Sequence, residues 1–418
     1  MSLKVTDRLD EPLDSALVAW LRSDEVAPVI ADWNVNLEVS VSRTTRLRDR
    51  FGPDRTAALL TVMAARRKAI AKWGPGNWLA TDRGIQQATD GGIAAYKAKR
   101  IPAGIPIVDW CCGVGGEAMA LMRRGPLTAI DRDRVIAAMA EHNLAEADRT
   151  RRGDDPHIPN HSWTVICDDV ANHPPSTESW LNVDPDRRGD ERSTASSARL
   201  AADAATFQPS LKTWMSVAGT TIGASIKLAP ATMLPDACRN LGETEWISRG
   251  GTCRQQVLWL GESIRPGTTK ATVIESDGAS QSFVGDPFEE ATISDQCDAY
   301  VYDFDPALRA AGLSGAFARA NGISALGGPA GYFTGSVNLR NTLAQAFEVV
   351  WSGQADLKKI RQAASSLQGR VSEVKTRGLP WHPPTILKRL DKKKGRQLVL
   401  LASRIDSHSG AILAVRCA

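Results

Sequence analysis

Ile107-Val-Asp-Trp-Cys-Cys-Gly-Val-Gly-Gly-Glu-Ala118 decides the fold. Its first four residues belong to an apolar run that suits a strand buried on both faces. Three glycines among the next six residues free the backbone, and a helical stretch follows before a second apolar run, Leu127-Thr-Ala-Ile-Asp131. A strand that turns through glycines into a helix start lets a ligand come close to the main chain and meet its amides and the helix dipole. The spacing predicts a nucleotide-binding turn. Asp109 lies directly before it, and Asp131, 22 residues later, ends the second strand where a carboxylate can accept from both ribose hydroxyls.

Further along the chain the same texture repeats. The runs TVICDD (164–169), SWLNVD (179–184) and GASIKLA (223–229) are short, apolar and separated by longer stretches, so strands alternate with helices. That alternation predicts a parallel, doubly wound sheet. TEWISRGG (244–251) and RQQVLWLGE (254–262) read as an antiparallel hairpin on the edge of the sheet. In the other direction, residues 1–100 read as a helical region, with a helix over Asp54–Ala71 introduced by Pro53 and ended by Gly74-Pro75-Gly76. Residues 262–296 are rich in Gly, Ser, Thr and Pro, with one strand-like piece at Ala271–Glu275, which places a boundary near Asp286. The expected organisation is a helical region over 1–100, the sheet domain over 101–285 and a smaller α/β domain over 286–418.

Composition narrows the function classes. Hydrophobic residues make up 43% and charged residues 23%, near globular averages, which excludes a fibrous or wholly disordered chain. The seven cysteines include no C-x-x-C pair, so neither a disulfide framework nor a zinc knuckle is expected. His157 and His161 stand beside Pro156 and Pro159, which preclude a shared helix face, and no metal is assigned. Acids interrupt the N-terminal segment and no window of 18 apolar residues occurs, so the expectation is a cytoplasmic chain with no membrane partner. Charge is uneven: residues 355–418 hold 14 Lys and Arg against 4 Asp and Glu, whereas the preceding residues hold 37 against 43. A basic end suggests a polyanionic partner. There Lys375 and Arg377 offer phosphate contacts, and Trp351 and Trp381 offer either stacking surfaces or core packing.

Gly113, Gly115 and Ala118 also satisfy G-x-G-x-x-A, so a dinucleotide cofactor is one alternative and a tight turn holding no cofactor another. Two details favour S-adenosylmethionine. Asp109 would repel a pyrophosphate but suits a ligand bearing an ammonium group, and Asp168-Asp169, at the third strand end, could accept from an adenine amino group. The fourth strand ends in Asn182-Val-Asp-Pro-Asp-Arg-Arg188. Pro185 redirects the backbone there, so that Asp184 faces the crevice where a reacting group would lie. Arg187 and Arg188 could grip a phosphate or pair with a carboxylate. Lys227, inside the apolar run SIKLAP, is expected beside Asp184 as a salt bridge or a substrate contact, because a buried ammonium needs a partner. The segment Trp73–Tyr96, with Thr81, Gln87 and Thr89, reads either as a lid over the site or as a packing helix.

Taken together, VDWCCGVGGEAMAL and AIDRD resemble the first two motifs of class I S-adenosylmethionine-dependent methyltransferases. RRKAIAKWG, LATDRGIQQAT, VDPDRR, SIKLAP and VSEVKTRG, in this order over about residues 60–418, resemble the bacterial methyltransferases that carry a C-terminal THUMP-like module. Where that family usually reads D-P-A-R-R, Asp184, Pro185, Arg187 and Arg188 match; Cys111 departs from the glycine common at its position. The resemblance implies a Rossmann-like sheet, a THUMP-like C-terminal domain and methyl transfer, with RNA as the acceptor because THUMP modules are associated with RNA. It implies Asp109, Cys111, Gly113, Gly115, Asp131 and Asp169 as cofactor contacts. Asp184, Pro185 and Arg187 would then be catalytic, with Arg188, Lys227, Lys375 and Arg377 on the substrate. No cysteine lies in the strand-four motif, and Cys238 and Cys253 read as core thiols, so a nitrogen or ribose oxygen acceptor is preferred to a pyrimidine carbon. A small-molecule methyltransferase and a non-catalytic RNA-binding protein are the alternatives.

Overall fold

Among the described residues, six helices precede the glycine turn: Ser15–Leu21, Ala27–Val35, Val41–Phe51, Pro53–Trp73, Asp82–Gln87 and Gly91–Arg100. Their ends follow local chemistry. Pro53 opens the longest and Gly74, at φ +87°, closes it, while Ser40, Thr81 and Asp90 cap three others by accepting from backbone N–H groups one turn on. Leu59, Val62 and Met63 form the buried stripe of the longest helix.

The computed structural model describes residues 13–35, 40–154, 161–187, 207–327, 331–390, 394–405 and 408–417. They gather into two compact units, the first drawn from residues 1–228, 232–235 and 258–264 and the second from 229–231, 236–257 and 265–418. No helix among the described residues is long and apolar enough to cross a membrane.

Among the described residues of the first unit, seven strands follow: β1 (Ile107–Trp110), β2 (Leu127–Asp131), β3 (Trp163–Cys167), β4 (Trp180–Val183), β5 (Asp186–Arg187), β6 (Phe207–Gln208) and β7 (Gly223–Leu228). The main sheet runs β7-β4-β1-β2-β3, all parallel, and β5 with β6 makes a separate antiparallel pair. Because β1 sits between β2 and β4, the strand order reverses there, which is where open α/β sheets bind ligands. The expected helix after the glycine turn is short, spanning only Ala118–Leu121.

In the second unit, β8 (Glu243–Arg249) leads through Gly250-Gly251 into β9 (Thr252–Gly261), whose last residues belong to the first unit. The hairpin forms, but it is not at an edge. β10 (Thr269–Ile274) pairs parallel to β8, and β11 (Ser280–Gly285) pairs antiparallel to β10, so β11 is the edge strand. The remaining strands, β12 (Ile293–Ser294), β13 (Tyr300–Phe304), β14 (Ser324–Leu326), β15 (Phe333–Gly335), β16 (Ala344–Gln354), β17 (Gly369–Arg377), β18 (Arg396–Ile405) and β19 (His408–Arg416), form an eight-stranded sheet. Its order is β12-β14-β15-β13-β16-β19-β18-β17. Helices Leu357–Ser366 and Pro383–Leu390 cover one face, packing Ile360 and Ile386 against Leu398 and Leu400.

The other face curls. Asp303 on β13 accepts from Lys375 on β17 at 2.8 Å although three strands lie between them, a separation of about 19 Å in a flat sheet at the usual strand spacing. Phe347, Val399, Leu401 and Ile412 line the concave side.

Candidate active site at the strand-order reversal

The turn after β1 is built from unusual backbone. Gly113 and Gly115 adopt φ +56° and +87°, and Cys111 adopts +60°. The two glycines take these angles without strain, whereas a cysteine in the left-handed region bears about 1–2 kcal/mol. Cys111 therefore departs from glycine at a position whose backbone favours glycine. A Cβ on Gly115 would stand 2.9 Å from Leu144 Cδ1, so that glycine also lets the turn pack down on the helix Arg134–Asp154. Gly113 faces open space, with no atom within 4 Å of where its Cβ would be.

Carboxylates fix the turn from both sides. Asp131 accepts from the Gly113 N–H and, through its other oxygen, from the Asp133 N–H, each at 3.0 Å. Each oxygen keeps a lone pair for a further donor. Burial raises its pKa despite those bonds. Asp109 is 1% exposed; its Oδ1 accepts from Asn182 at 2.7 Å and its Oδ2 has no partner.

Behind the turn lies a buried network. Asn182 donates to Asp109 and also to Glu117, at 2.9 Å, and accepts from Ser225. Glu117 in turn receives Lys97 at 2.6 Å and the Thr89 hydroxyl at 2.7 Å. Burial works to raise Glu117, but Lys97 and then Lys227, with the Lys97 and Thr89 hydrogen bonds, outweigh it and hold the carboxyl at about 2. Asp109 fares oppositely: burial pushes it up to about 8, because one amide bond and a more distant Lys97 do not offset desolvation and the neighbouring Glu117 and Asp184. One cation serves two buried acids, and it sits on Glu117.

Next to this network, at the end of β4, Asp184 is anchored through its N–H to the Trp110 carbonyl. Its side chain is 36% exposed and accepts from Lys227 at 2.6 Å, while Lys227, 10% exposed, also donates to the Gln87 carbonyl at 3.0 Å. Lys227 thus takes the salt-bridge position of its two expected places. Burial raises the Asp184 pKa and Lys227 works against the rise.

Most of the expected residues meet at this sheet edge. Asp169 lies at the end of β3, capping the turn Val170–Asn172 by accepting from Ala171 N–H, and Asp168 accepts from His173 and Asn172. The Asp168 amide reaches the Asp131 carbonyl, which ties the two strand ends together. Pro185 turns the chain toward β5, where the Arg187 backbone pairs with Phe207; Arg188 and the Arg187 side chain lie outside the described residues. The Thr81–Thr89 segment contacts the site: Thr89 binds Glu117, its carbonyl accepts from Trp73, and a Cβ on Gly116 would come within 3.1 Å of the Thr89 nitrogen.

Lys375 and Arg377 belong to the second unit. Both are ion-paired to Asp303, Lys375 also lies 3.6 Å from Glu373, and Arg377 stacks over the Tyr332 ring. Trp351 and Trp381 pack against the apolar core beneath the two covering helices. Among the described residues no group of three or more His, Cys, Asp or Glu gathers as metal ligands. A cavity of about 380 Å³ lies toward the opposite ends of β1–β3, lined by Pro106, Ile107, Pro126, Leu127 and Trp163 and, on one side, by His173.

Sequence reasoning missed Asn182, Glu117, Lys97, Thr89 and Ser225 as a set. The available signal was a lone acid, Glu117, in the otherwise apolar stretch GVGGEAMAL.

The donor set fits a sulfonium nucleoside. Asp131 presents acceptors at a strand end, Gly113 leaves room over the main chain, and Asp109 holds a buried carboxyl oxygen with no partner of its own. A cationic ligand would supply that partner.

Comparison with known proteins adds three findings. Residues 344–417 match the family described as THUMP domain-like. Over 379 residues, 87% of this chain and 96% of the relative, the chain is 28% identical to a protein of Mycobacterium tuberculosis H37Rv named an uncharacterized S-adenosylmethionine-dependent methyltransferase, and its counterpart in strain CDC 1551 matches equally. The fold superposes with a TM-score of 0.73 on a candidate methyltransferase from Porphyromonas gingivalis W83, 18% identical, covering 94% of this chain and 98% of that one.

Proposed function

As a homologue of S-adenosylmethionine-dependent methyltransferases, with their Rossmann-like sheet and a THUMP domain-like C-terminal segment, this chain is an S-adenosylmethionine-dependent methyltransferase, and we propose that it methylates RNA. The observation that carries the RNA reading is a coincidence of segments. The THUMP domain-like residues 344–417 are nearly those that hold the basic excess, 14 cations against 4 acids over 355–418. Such an excess favours a phosphate backbone.

When bound, S-adenosylmethionine supplies a methyl group on a sulfonium. The chain's own residues have three tasks around it. Asp131 accepts from ribose hydroxyls while fixing the Gly113 amide, and Asp169 takes the adenine end. Asp109 faces the charged end. Asp184, held by Lys227 at 2.6 Å, orients the acceptor by taking a hydrogen bond from its N–H or O–H and can receive its proton. Its pKa, raised by burial, makes it a better base than an ordinary aspartate. Pro185 sets its direction, and Arg187 and Arg188 steady the acceptor's phosphate. Burial pushes the Cys111, Cys112 and Cys238 thiols upward, so a thiolate nucleophile is disfavoured, which supports a nitrogen or ribose oxygen acceptor. In this reading, residues 101–285 carry the chemistry and 286–418 the RNA contacts, including Lys375 and Arg377.

A small-molecule acceptor is the second reading, favoured by the pairing of Lys375 and Arg377 with Asp303. Incubation with methyl-labelled cofactor and total cellular RNA, followed by digestion to nucleosides, separates the two. Label in a single modified nucleoside supports the RNA reading; label in none, with cofactor binding intact, refutes it.

A further inference from the structure

We infer that Asp109 is a proton-exchange group: it holds a proton in the free protein and releases it to solvent when S-adenosylmethionine binds. This rests on the cofactor reading above and goes beyond it.

The geometry leaves Asp109 little else. Its carboxyl is buried, it has a single donor in Asn182, and its second oxygen has none. Asn182 has nothing more to give, because its two N–H bonds go to Asp109 and Glu117 and its oxygen is taken by Ser225. Lys97, on the helix Gly91–Arg100, is spent on Glu117, and Lys227, on β7, is spent on Asp184 and the Gln87 carbonyl. The ionisable groups facing Asp109 are thus Glu117 from the turn, Asp184 from the end of β4, Lys97 from the preceding helix, and the thiols of Cys111 and Cys112. Two acids oppose one committed cation in a buried site. A carboxyl placed so keeps its proton near neutrality, and its ordinary value of 3.8 is pushed up to about 8.

S-adenosylmethionine carries a sulfonium, an ammonium and a carboxylate, a net charge of +1. On binding, the O–H bond of the Asp109 carboxyl breaks, the proton passes to the buffer, and the carboxylate is left facing the cation. The demethylated product lacks the sulfonium charge and drives the exchange less. Product binding therefore gains on cofactor binding as the pH falls.

Calorimetry of the full chain with S-adenosylmethionine near pH 7, in buffers of different ionisation heat, counts the released protons. About one proton per site is expected, with affinity tightening by up to about tenfold per pH unit from pH 6 to 8 and levelling above. In Asp109→Asn the buffer dependence should vanish and the affinity should become flat with pH, whereas Asp184→Asn, which removes one of the two acids facing Asp109 but leaves its burial, should lessen the release without abolishing it. Saturable binding with equal heats in every buffer overturns the inference while leaving the cofactor reading intact. The inference is equally wrong if Asp184→Asn, and not Asp109→Asn, abolishes the release. No saturable heat in any buffer overturns the cofactor reading itself, and the wild-type series alone separates these two failures.

Discussion

Replacing Lys97 with methionine should destabilise the first unit by about 3 kcal/mol at neutral pH, and adding Glu117→Gln should return most of that loss. The pair is buried, with side chains 2% and 7% exposed and a contact of 2.6 Å. Glu117 is held at about 2 against an ordinary 4.5, with Lys97 the largest of the groups that overcome its burial, ahead of Lys227 and the Thr89 hydroxyl. Breaking a buried pair by removing one partner costs about 3–5 kcal/mol, because the remaining charge has lost its compensation, and the second cation Lys227 near Glu117 puts this case at the low end. The sign follows from the depressed value: the contribution is complete above the ordinary glutamate pKa and is lost as the pH falls from 4.5 toward 2. Urea unfolding followed by circular dichroism at pH 7 and pH 4 provides the measurement. Lys97→Met should unfold at lower urea at pH 7, the gap to wild type should narrow at pH 4, and the double variant should lie near wild type. A loss below about 1 kcal/mol for Lys97→Met, or a double variant as weak as the sum of the singles, would refute the claim that Lys97 and Glu117 compensate each other in the buried network behind the turn.

Three other substitutions probe the rest of the site. Asp131→Ala should weaken S-adenosylmethionine binding by about 1–3 kcal/mol through lost charge-assisted hydrogen bonds, measured by calorimetry; an unchanged dissociation constant would move the ribose elsewhere. Gly115→Ala must adopt φ +87° with its Cβ against Leu144, so a loss of about 1–2 kcal/mol in thermal unfolding is expected, and an unchanged Tm would mean that the turn relaxes freely. Lys227→Met removes the cation from half-exposed Asp184, so the acid limb of kcat should move up by about one pH unit while cofactor affinity stays within about twofold; an unmoved limb would deny Lys227 its hold on that carboxylate.

Strand ends were legible in the sequence because main-chain topology decides them. Apolar runs at 107–110, 127–131 and 180–183 became parallel neighbours, and once they pair, Asp109, Asp131 and Asp184 must come to one edge. Lys227 was legible for the same reason, being in the run beside β4. The edge strand β11 was not, because SQSFVG alternates exposed and half-buried residues, with Val284 outward and Gln281 inward, inside a stretch whose composition reads as a linker.

Side-chain partnerships obey a different rule. Glu117 finds Lys97, Thr89 and Asn182 at sequence separations of 20, 28 and 65, and nothing local to any of them states the match. Only helix packing against the turn brings them together. The basic C-terminal segment shows the limit most clearly. Counting cations there cannot say which are free, since the curl of the eight-stranded sheet delivers Asp303 to Lys375 and Arg377, and Glu373 to Arg416. A phosphate approaching these cations must compete with carboxylates that already neutralise them. Each such contact exchanges one ion pair for another and releases less counterion than a bare lysine would, so the salt dependence of RNA binding should fall short of what the charge count implies.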